Sequence, residues 1–219
     1  MARIARVVVP GVGHHVTQRG VRSMNIFWDD EDKESYIDIL SNLSKEGGLD
    51  VHAYCLMDNH IHLLVVPESD TSLSRVIGEA HRLYTRKINF RHKVRGHLFQ
   101  ERFFSCPLDE SHYIATARYI EQNPVRAKMC GKAWDYVFSS ARYHVGEVSH
   151  DKLLTKLDWH YDVDDWKIML QENLKQIDSI RKNTRTGRPL GNKGFIEDLE
   201  ILTKRVLRPK KAGRPIKIN

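Results

Sequence analysis

Hydrophobic and polar positions along this chain repeat first with the period of a strand and then with that of a helix, and the alternation predicts the order of elements. Residues 13–20 set the β-favouring run His14-His15-Val16-Thr17-Gln18-Arg19 between two glycines, the pattern of a first strand. Over residues 29–47 the period changes to helical: Tyr36, Ile37, Leu40 and Leu43 follow an acidic first turn and precede a Gly47-Gly48 stop. Residues 49–57 and 61–67 are rich in β-formers and flank the turn-like Asp58-Asn59, which predicts a hairpin. Residues 71–91 place Leu73, Val76, Ile77, Ala80, Leu83, Tyr84 and Ile88 on one helical face and leave Arg82, Arg86 and Lys87 as a basic stripe. An aromatic-rich stretch, residues 98–107, reads as another strand. Residues 110–122 read as a helix that stops near Asn123-Pro124, because a residue before proline disfavours the α region.

The order β-α-β-β-α-β-α, with a hairpin at its centre, predicts an α+β fold, a ferredoxin-like antiparallel sheet with helices packed on it. Further on the expectation is irregular packing from Trp134 and a helix over residues 164–180. A short helical pattern over residues 195–206 then lies between Gly187-Arg188-Pro189 and Gly213-Arg214-Pro215. The chain divides accordingly into a main domain (1–145), a helical packing segment (146–180) and a C-terminal tail (181–219).

Charge adds a partner class. The formal net charge is +7, but residues 181–219 carry 12 Lys/Arg against 3 Asp/Glu while residues 1–180 carry 23 against 25. The basicity belongs to the tail, where it can collect phosphates and release counterions, so nucleic acid is the leading partner and a solvated linker the alternative. The two Gly-Arg-Pro segments resemble the cores of arms that enter a narrow minor groove, making Arg188, Lys210, Lys211 and Arg214 candidate DNA contacts alongside Arg82, Arg86 and Lys87. The longest apolar runs, such as residues 61–67, fall far short of the ~20 residues that cross a bilayer. The opening MARIARVVVPG lacks a signal peptide's pattern, so a cytoplasmic, nucleoid-associated protein without a membrane partner is expected. Cys55, Cys106 and Cys130 are odd in number and widely spaced, which suggests buried thiols and not a disulfide framework.

Candidate chemistry begins at Asn59-His60-Ile61-His62. Side chains on a strand alternate faces, so His60 and His62 point the same way, about 6–7 Å apart, and can chelate one cation. Surface or hydrogen-bonded core histidines would show the same spacing. Tyr119 and Asn123 share a helix face at i and i+4. Asn123 can offer an amide oxygen to that cation, and Tyr119 a phenol to whatever the cation holds. A neutral phenol is a poor nucleophile unless a nearby positive charge assists it, and a divalent metal on a phosphodiester supplies that assistance as a Lewis acid. A core aromatic with its hydroxyl at the rim is the alternative for Tyr119.

Five segments together resemble the REP-associated tyrosine transposases, single-tyrosine HUH endonucleases of the insertion-sequence class: Met1-Ala2-Arg3-Ile4-Ala5-Arg6; His14 to Gly20; Met57-Asp58-Asn59-His60-Ile61-His62; Gly96-His97-Leu98-Phe99-Gln100-Glu101-Arg102-Phe103; and Arg118-Tyr119-Ile120-Glu121-Gln122-Asn123-Pro124-Val125-Arg126-Ala127. They occur in the family's order and span residues 1–145, the expected catalytic domain. The resemblance implies His60 and His62 as the HUH pair, Tyr119 as nucleophile and Asn123 as a third ligand. It implies Mg²⁺ or Mn²⁺, with mixed nitrogen and oxygen ligation suiting Mn²⁺ somewhat better. It also implies transesterification of single-stranded or hairpin DNA of repeated palindromic elements through a 5′-phosphotyrosine, by a monomer or a homodimer. Two other readings stay open. One is a catalytically inactive DNA- or RNA-binding regulator derived from a transposase, and the other a metal-dependent hydrolase using Asp58 to activate water. His14 and His15 lie on the strand beside the site, one facing it and one facing away, and Glu101 and Arg102 are placed either to touch DNA or to form a packed bulge.

Overall fold

The computed structural model describes residues 4–155 and 161–209. Its elements are β1 (His14–Arg19), α1 (Asp30–Gly47), β2 (Leu49–Met57), β3 (His60–Pro67), α2 (Ser72–Arg91), β4 (Phe104–Pro107), α3 (Glu110–Glu121), α4 (Asn123–Arg126), α5 (Ala141–His144), α6 (Val163–Gln171), α7 (Ile177–Thr186) and α8 (Lys193–Thr203). The sheet order is β2-β3-β1-β4 with every neighbouring pair antiparallel, the ferredoxin-like arrangement that the alternating periods predict. Local signals account for α1: Asp29 caps its first turn by accepting from the Asp32 amide at 3.0 Å, and Gly48 closes it in the left-handed region at φ 61°.

Each face of the sheet buries its own layer. Val16, Leu56, Ile61 and Leu63 point to α1 and α2, where they meet Tyr36, Leu40, Ile77 and Tyr84. Ala53, Cys55, Leu64 and Cys106 point the other way, toward Ile120 on α3, Trp166 on α6 and Ile180 on α7. Strand β2 reconciles the two layers with a bulge between Val51 and Ala53, so that Val51 pairs with Val65 and Ala53 with Leu64. The extra residue lets Val51, Tyr54 and Leu56 all reach the α1/α2 layer despite their mixed parity.

Three expectations change. The strand over residues 98–107 contracts to Phe104–Pro107 because Phe99 and Phe103 turn into the α1/α2 layer, where Phe99 stacks on His81 at 4.2 Å, and because Glu101 takes φ 53°. Helix α3 ends at Glu121 ahead of Asn123-Pro124, as expected, but a second short helix follows at once: α4 starts across a helical Gln122, with Pro124 accommodated in its first turn. The helix over residues 164–180 is two helices, α6 and α7.

The tail needs the largest correction. Its first two-thirds is part of the globule: Gly187 ends α7 at φ 70°, the Leu190 amide donates to the Pro107 carbonyl at 2.9 Å, and Cys106 Sγ lies 3.0 Å from the Arg188 carbonyl. The Arg188 guanidinium donates to the Leu207 carbonyl, and Leu199 and Leu207 pack on Val7 and Val9. Arg188 is therefore committed to a fold contact instead of a free groove-binding arm. Lys210, Lys211 and Arg214 lie outside the described residues. Among the described residues no helix is long and apolar enough to cross a membrane, and the three cysteines are free thiols.

A buried carboxylate ties the C-terminal part to α3. Glu121 accepts from Ser140 Oγ at 2.5 Å, His144 Nδ1 at 2.5 Å and Trp166 Nε1 at 2.8 Å. Glu121→Ala removes the buried acceptor that these three donors share and should lower unfolding free energy by about 3 kcal/mol in urea titrations; a loss under about 1 kcal/mol would contradict that role. Buried histidines should make folding pH-sensitive, two of them away from the candidate site residues. His14 accepts from the Val9 amide and donates to the Val12 carbonyl, and burial holds its pKa down to about 4. His81, buried beside Tyr36 and Phe99, is held down to about 3. The folded values lie below the ordinary 6.5, so the unfolded chain binds more protons on acidification. Stability should be fully present above that value and decline as the pH falls toward about 4. Urea midpoints measured across this window should drop steadily, and a flat profile would refute the assignment.

Candidate active site

Register brings the candidate residues to one face. In the β1/β3 pair Thr17 lies opposite His62 and Arg19 opposite His60, so His15, Thr17, His60 and His62 all project toward the α3 side. Helix α3 lies on that face and carries Tyr119 near its end. The phenol ring is 5.6 Å from the His62 ring and 5.7 Å from the His15 ring, centroid to centroid, within a single chain.

The imidazoles are held from behind. His60 Nδ1 lies 2.6 Å from Asn59 Oδ1, an atom that only accepts, so the proton resides on Nδ1 and Nε2 keeps its lone pair. His62 Nδ1 lies 3.0 Å from His15 Nε2, the two rings stacked at 12°, and His15 Nδ1 lies 2.7 Å from Thr184 Oγ1 on α7. With protons running from His62 to His15 to Thr184, the Nε2 lone pair of His62 is free as well. Burial lowers all three pKa values: His60 to about 4, with Arg19 adding to the effect, His15 to about 3, and His62 well below its usual range, with His60 and His15 contributing. They are neutral at physiological pH, the form that ligates a metal. Two neutral Nε2 donors with their second nitrogens anchored fit a divalent cation that accepts mixed nitrogen and oxygen ligands. Among the described residues no group of three or more His, Cys, Asp or Glu side chains is placed around a metal.

These residues wall a cavity of about 740 Å³ that Arg126, Arg181 and Glu101 also line. Asn123 shares the cavity, but its carboxamide is occupied: Nδ2 donates to the Tyr119 and Ile120 carbonyls at 3.1 and 3.2 Å, and Oδ1 accepts from Arg126 Nη2 at 2.7 Å. The same Nη2 donates to the Tyr119 carbonyl at 2.7 Å, and the Arg126 guanidinium lies 4.2 Å over the Tyr119 ring. From α7, Arg181 Nε donates to Tyr119 Oη at 3.3 Å.

The fold thus gathers His60, His62, Tyr119 and Asn123. It leaves Arg82, Arg86 and Lys87 on α2, against the opposite face of the sheet, where Arg82 pairs with Glu79 and Lys87 donates to Ser35. Sequence reasoning missed Arg126, Arg181 and Thr184. Arg126 was visible as the cation one turn after Asn123. Arg181 and Thr184 gave no signal beyond tail basicity.

The family model for IS200-like transposases matches residues 13–123, just over half of the chain. The chain belongs to that family. A solved structure of a REP-associated tyrosine transposase bound to a REP hairpin shares its fold, with a TM-score of 0.54 and 16% identity over 74% of this chain and 93% of that one. A candidate transposase from Deinococcus radiodurans R1 gives a TM-score of 0.39 and 20% identity, covering 54% of this chain and 95% of its own. No curated protein matches. Arg181 and Thr184 lie beyond the segment that carries the family match.

The His62-His15-Thr184 chain makes a prediction about metal affinity in the absence of DNA. Thr184→Val should weaken Mn²⁺ binding about 10-fold in calorimetry, whereas Thr184→Ser should bind as the parent does. Equal affinity in all three proteins would remove the proposed anchoring.

Proposed function

We propose that this transposase-family chain nicks and rejoins single-stranded or hairpin DNA by transesterification, with Tyr119 as nucleophile. The observation that carries this reading is the placement of the Tyr119 phenol beside His62, which packs against His60, in one cavity. His60 and His62 would hold a Mg²⁺ or Mn²⁺ ion through Nε2, and Asn123 Oδ1 would join them once released by Arg126. When bound, the metal polarises the phosphodiester and orients it for in-line displacement.

The protein's own groups do the rest. Tyr119 Oη bonds to phosphorus while the bond from phosphorus to the 3′-oxygen breaks, and the electron pair leaves with that oxygen. The phenol proton passes through solvent to the departing oxygen, which becomes a free 3′-hydroxyl. The DNA stays joined to Tyr119 as a 5′-phosphodiester of similar energy, so a 3′-hydroxyl of another end can reverse the step and rejoin the strand. The architecture shared with a transposase bound to a REP hairpin supports palindromic hairpin DNA as the partner. Nucleophile and histidines lie together in one polypeptide, which supports cleavage by a single chain.

The test is covalent. Incubation with Mn²⁺ and hairpin oligonucleotides drawn from palindromes flanking the gene should give an adduct that survives denaturant and is lost in Tyr119→Phe. Free cleaved product without an adduct would overturn the mechanism in favour of hydrolysis. DNA binding with neither product would favour a regulator.

A further inference from the structure

Four arginines line the cavity at Tyr119 against a single acidic residue, Glu101, and two of them bracket the phenol itself. Arg126 stacks on its ring, and Arg181 donates to its oxygen from α7, the two belonging to elements far apart in sequence. Neither is in an ion pair among the described residues. Arg126 is also left incomplete: Nη2 is doubly engaged, while Nε and Nη1 are buried with no hydrogen-bond partner. Buried unpaired donors on a cation are costly, and two guanidinium groups on one phenol repel each other. An anion between them removes both penalties. The guanidinium fork suits phosphate oxygens in particular.

We propose that Arg126 and Arg181 form the half-site that receives the phosphodiester attacked by Tyr119, and that Arg126 releases Asn123 when it takes the phosphate. The inference rests on the nicking function above and deepens it. In this arrangement Arg126 holds the Asn123 carboxamide oxygen, which could join the two histidines on a cation. Turning the guanidinium to a phosphate oxygen pairs its idle donors and frees Asn123 Oδ1 in the same movement. Substrate binding and completion of the cation site are then coupled, and by linkage each strengthens the other. Arg181 needs no such rearrangement: it is exposed at the cavity mouth and already aligned on the attacking oxygen. Its helix lies outside the segment that the family model matches.

The experiment uses the full chain, a mixed-sequence single-stranded oligonucleotide and Mn²⁺, with Lys45→Gln on the opposite face of the sheet as control. Arg126→Gln and Arg181→Gln should each weaken DNA binding about tenfold and flatten the dependence of log affinity on log salt by about 0.7. Lys45→Gln should change neither. In the parent, saturating oligonucleotide should tighten Mn²⁺ binding; Arg126→Gln should bind Mn²⁺ more tightly without DNA and show no further gain with it. Unchanged affinity and salt slope in both arginine variants would overturn the proposal, as would faster adduct formation by Arg181→Gln, which would make α7 a cap on the tyrosine. Should Arg126→Gln fail to fold, the exposed Arg181→Gln still decides the clamp. Tyr119→Phe should keep parental DNA affinity, salt slope and Mn²⁺ coupling. Loss of the nicking mechanism would thus appear as a missing adduct with the arginine effects intact, and loss of the clamp as the reverse.

Discussion

The pairing of β1 with β3 fixes everything that follows at the site, because side chains on a strand have only two directions to choose between. With Thr17 opposite His62 and Arg19 opposite His60, the histidine pair faces α3, and Ile61 and Leu63 face α1 and α2. A slip of one residue would drive His60 and His62 into the aliphatic layer and present Ile61 to the tyrosine. The fold penalises that slip on both sides of the sheet, since it would also pull Leu63 and Val65, both fully buried, out of the α1/α2 layer. The register that positions the chemistry is therefore held by hydrophobic burial in a layer that takes no part in the chemistry.

The second layer is less self-sufficient. α3 and α4 supply Tyr119, Asn123 and Arg126, but the groups that anchor the site from outside come from the C-terminal segment: Thr184 behind His15, Arg181 on the phenol oxygen, and Trp166 on Glu121. These contacts are polar and specific in geometry, set within an apolar surround that includes Ile120, Trp166 and Ile180. A low local dielectric strengthens each hydrogen bond and raises the cost of leaving one unmade. This explains how a segment outside the family-model match is integral to the site. It also explains the neutrality of the histidines, for the same burial that stiffens the network disfavours their charged forms.

What the sequence determined by itself was whatever depends on local period and short-range stereochemistry. Alternation and helical spacing gave β1, the hairpin of β2 and β3, and α1 and α2 nearly residue for residue, along with the ferredoxin-like order. The two shared faces, His60 with His62 and Tyr119 with Asn123, follow from the same periodicities, and the ordered motifs pointed to the transposase family that residues 13–123 match. Only the tertiary structure decided matters that depend on distant partners. Aromatic packing of Phe99 and Phe103 against α2 outweighed the β propensity of their stretch and shortened β4. Residues 181–209, basic and rich in breakers, read as a tail, yet Leu190 and Leu199 have apolar surfaces to bury and the edge of β4 has a free carbonyl for the Leu190 amide. Charge composition measures solvation and carries no information about which neutral surface lies within reach. For that reason Arg181 and Thr184, separated from Tyr119 and His15 by 62 and 169 positions, became visible as site residues only once the chain was folded.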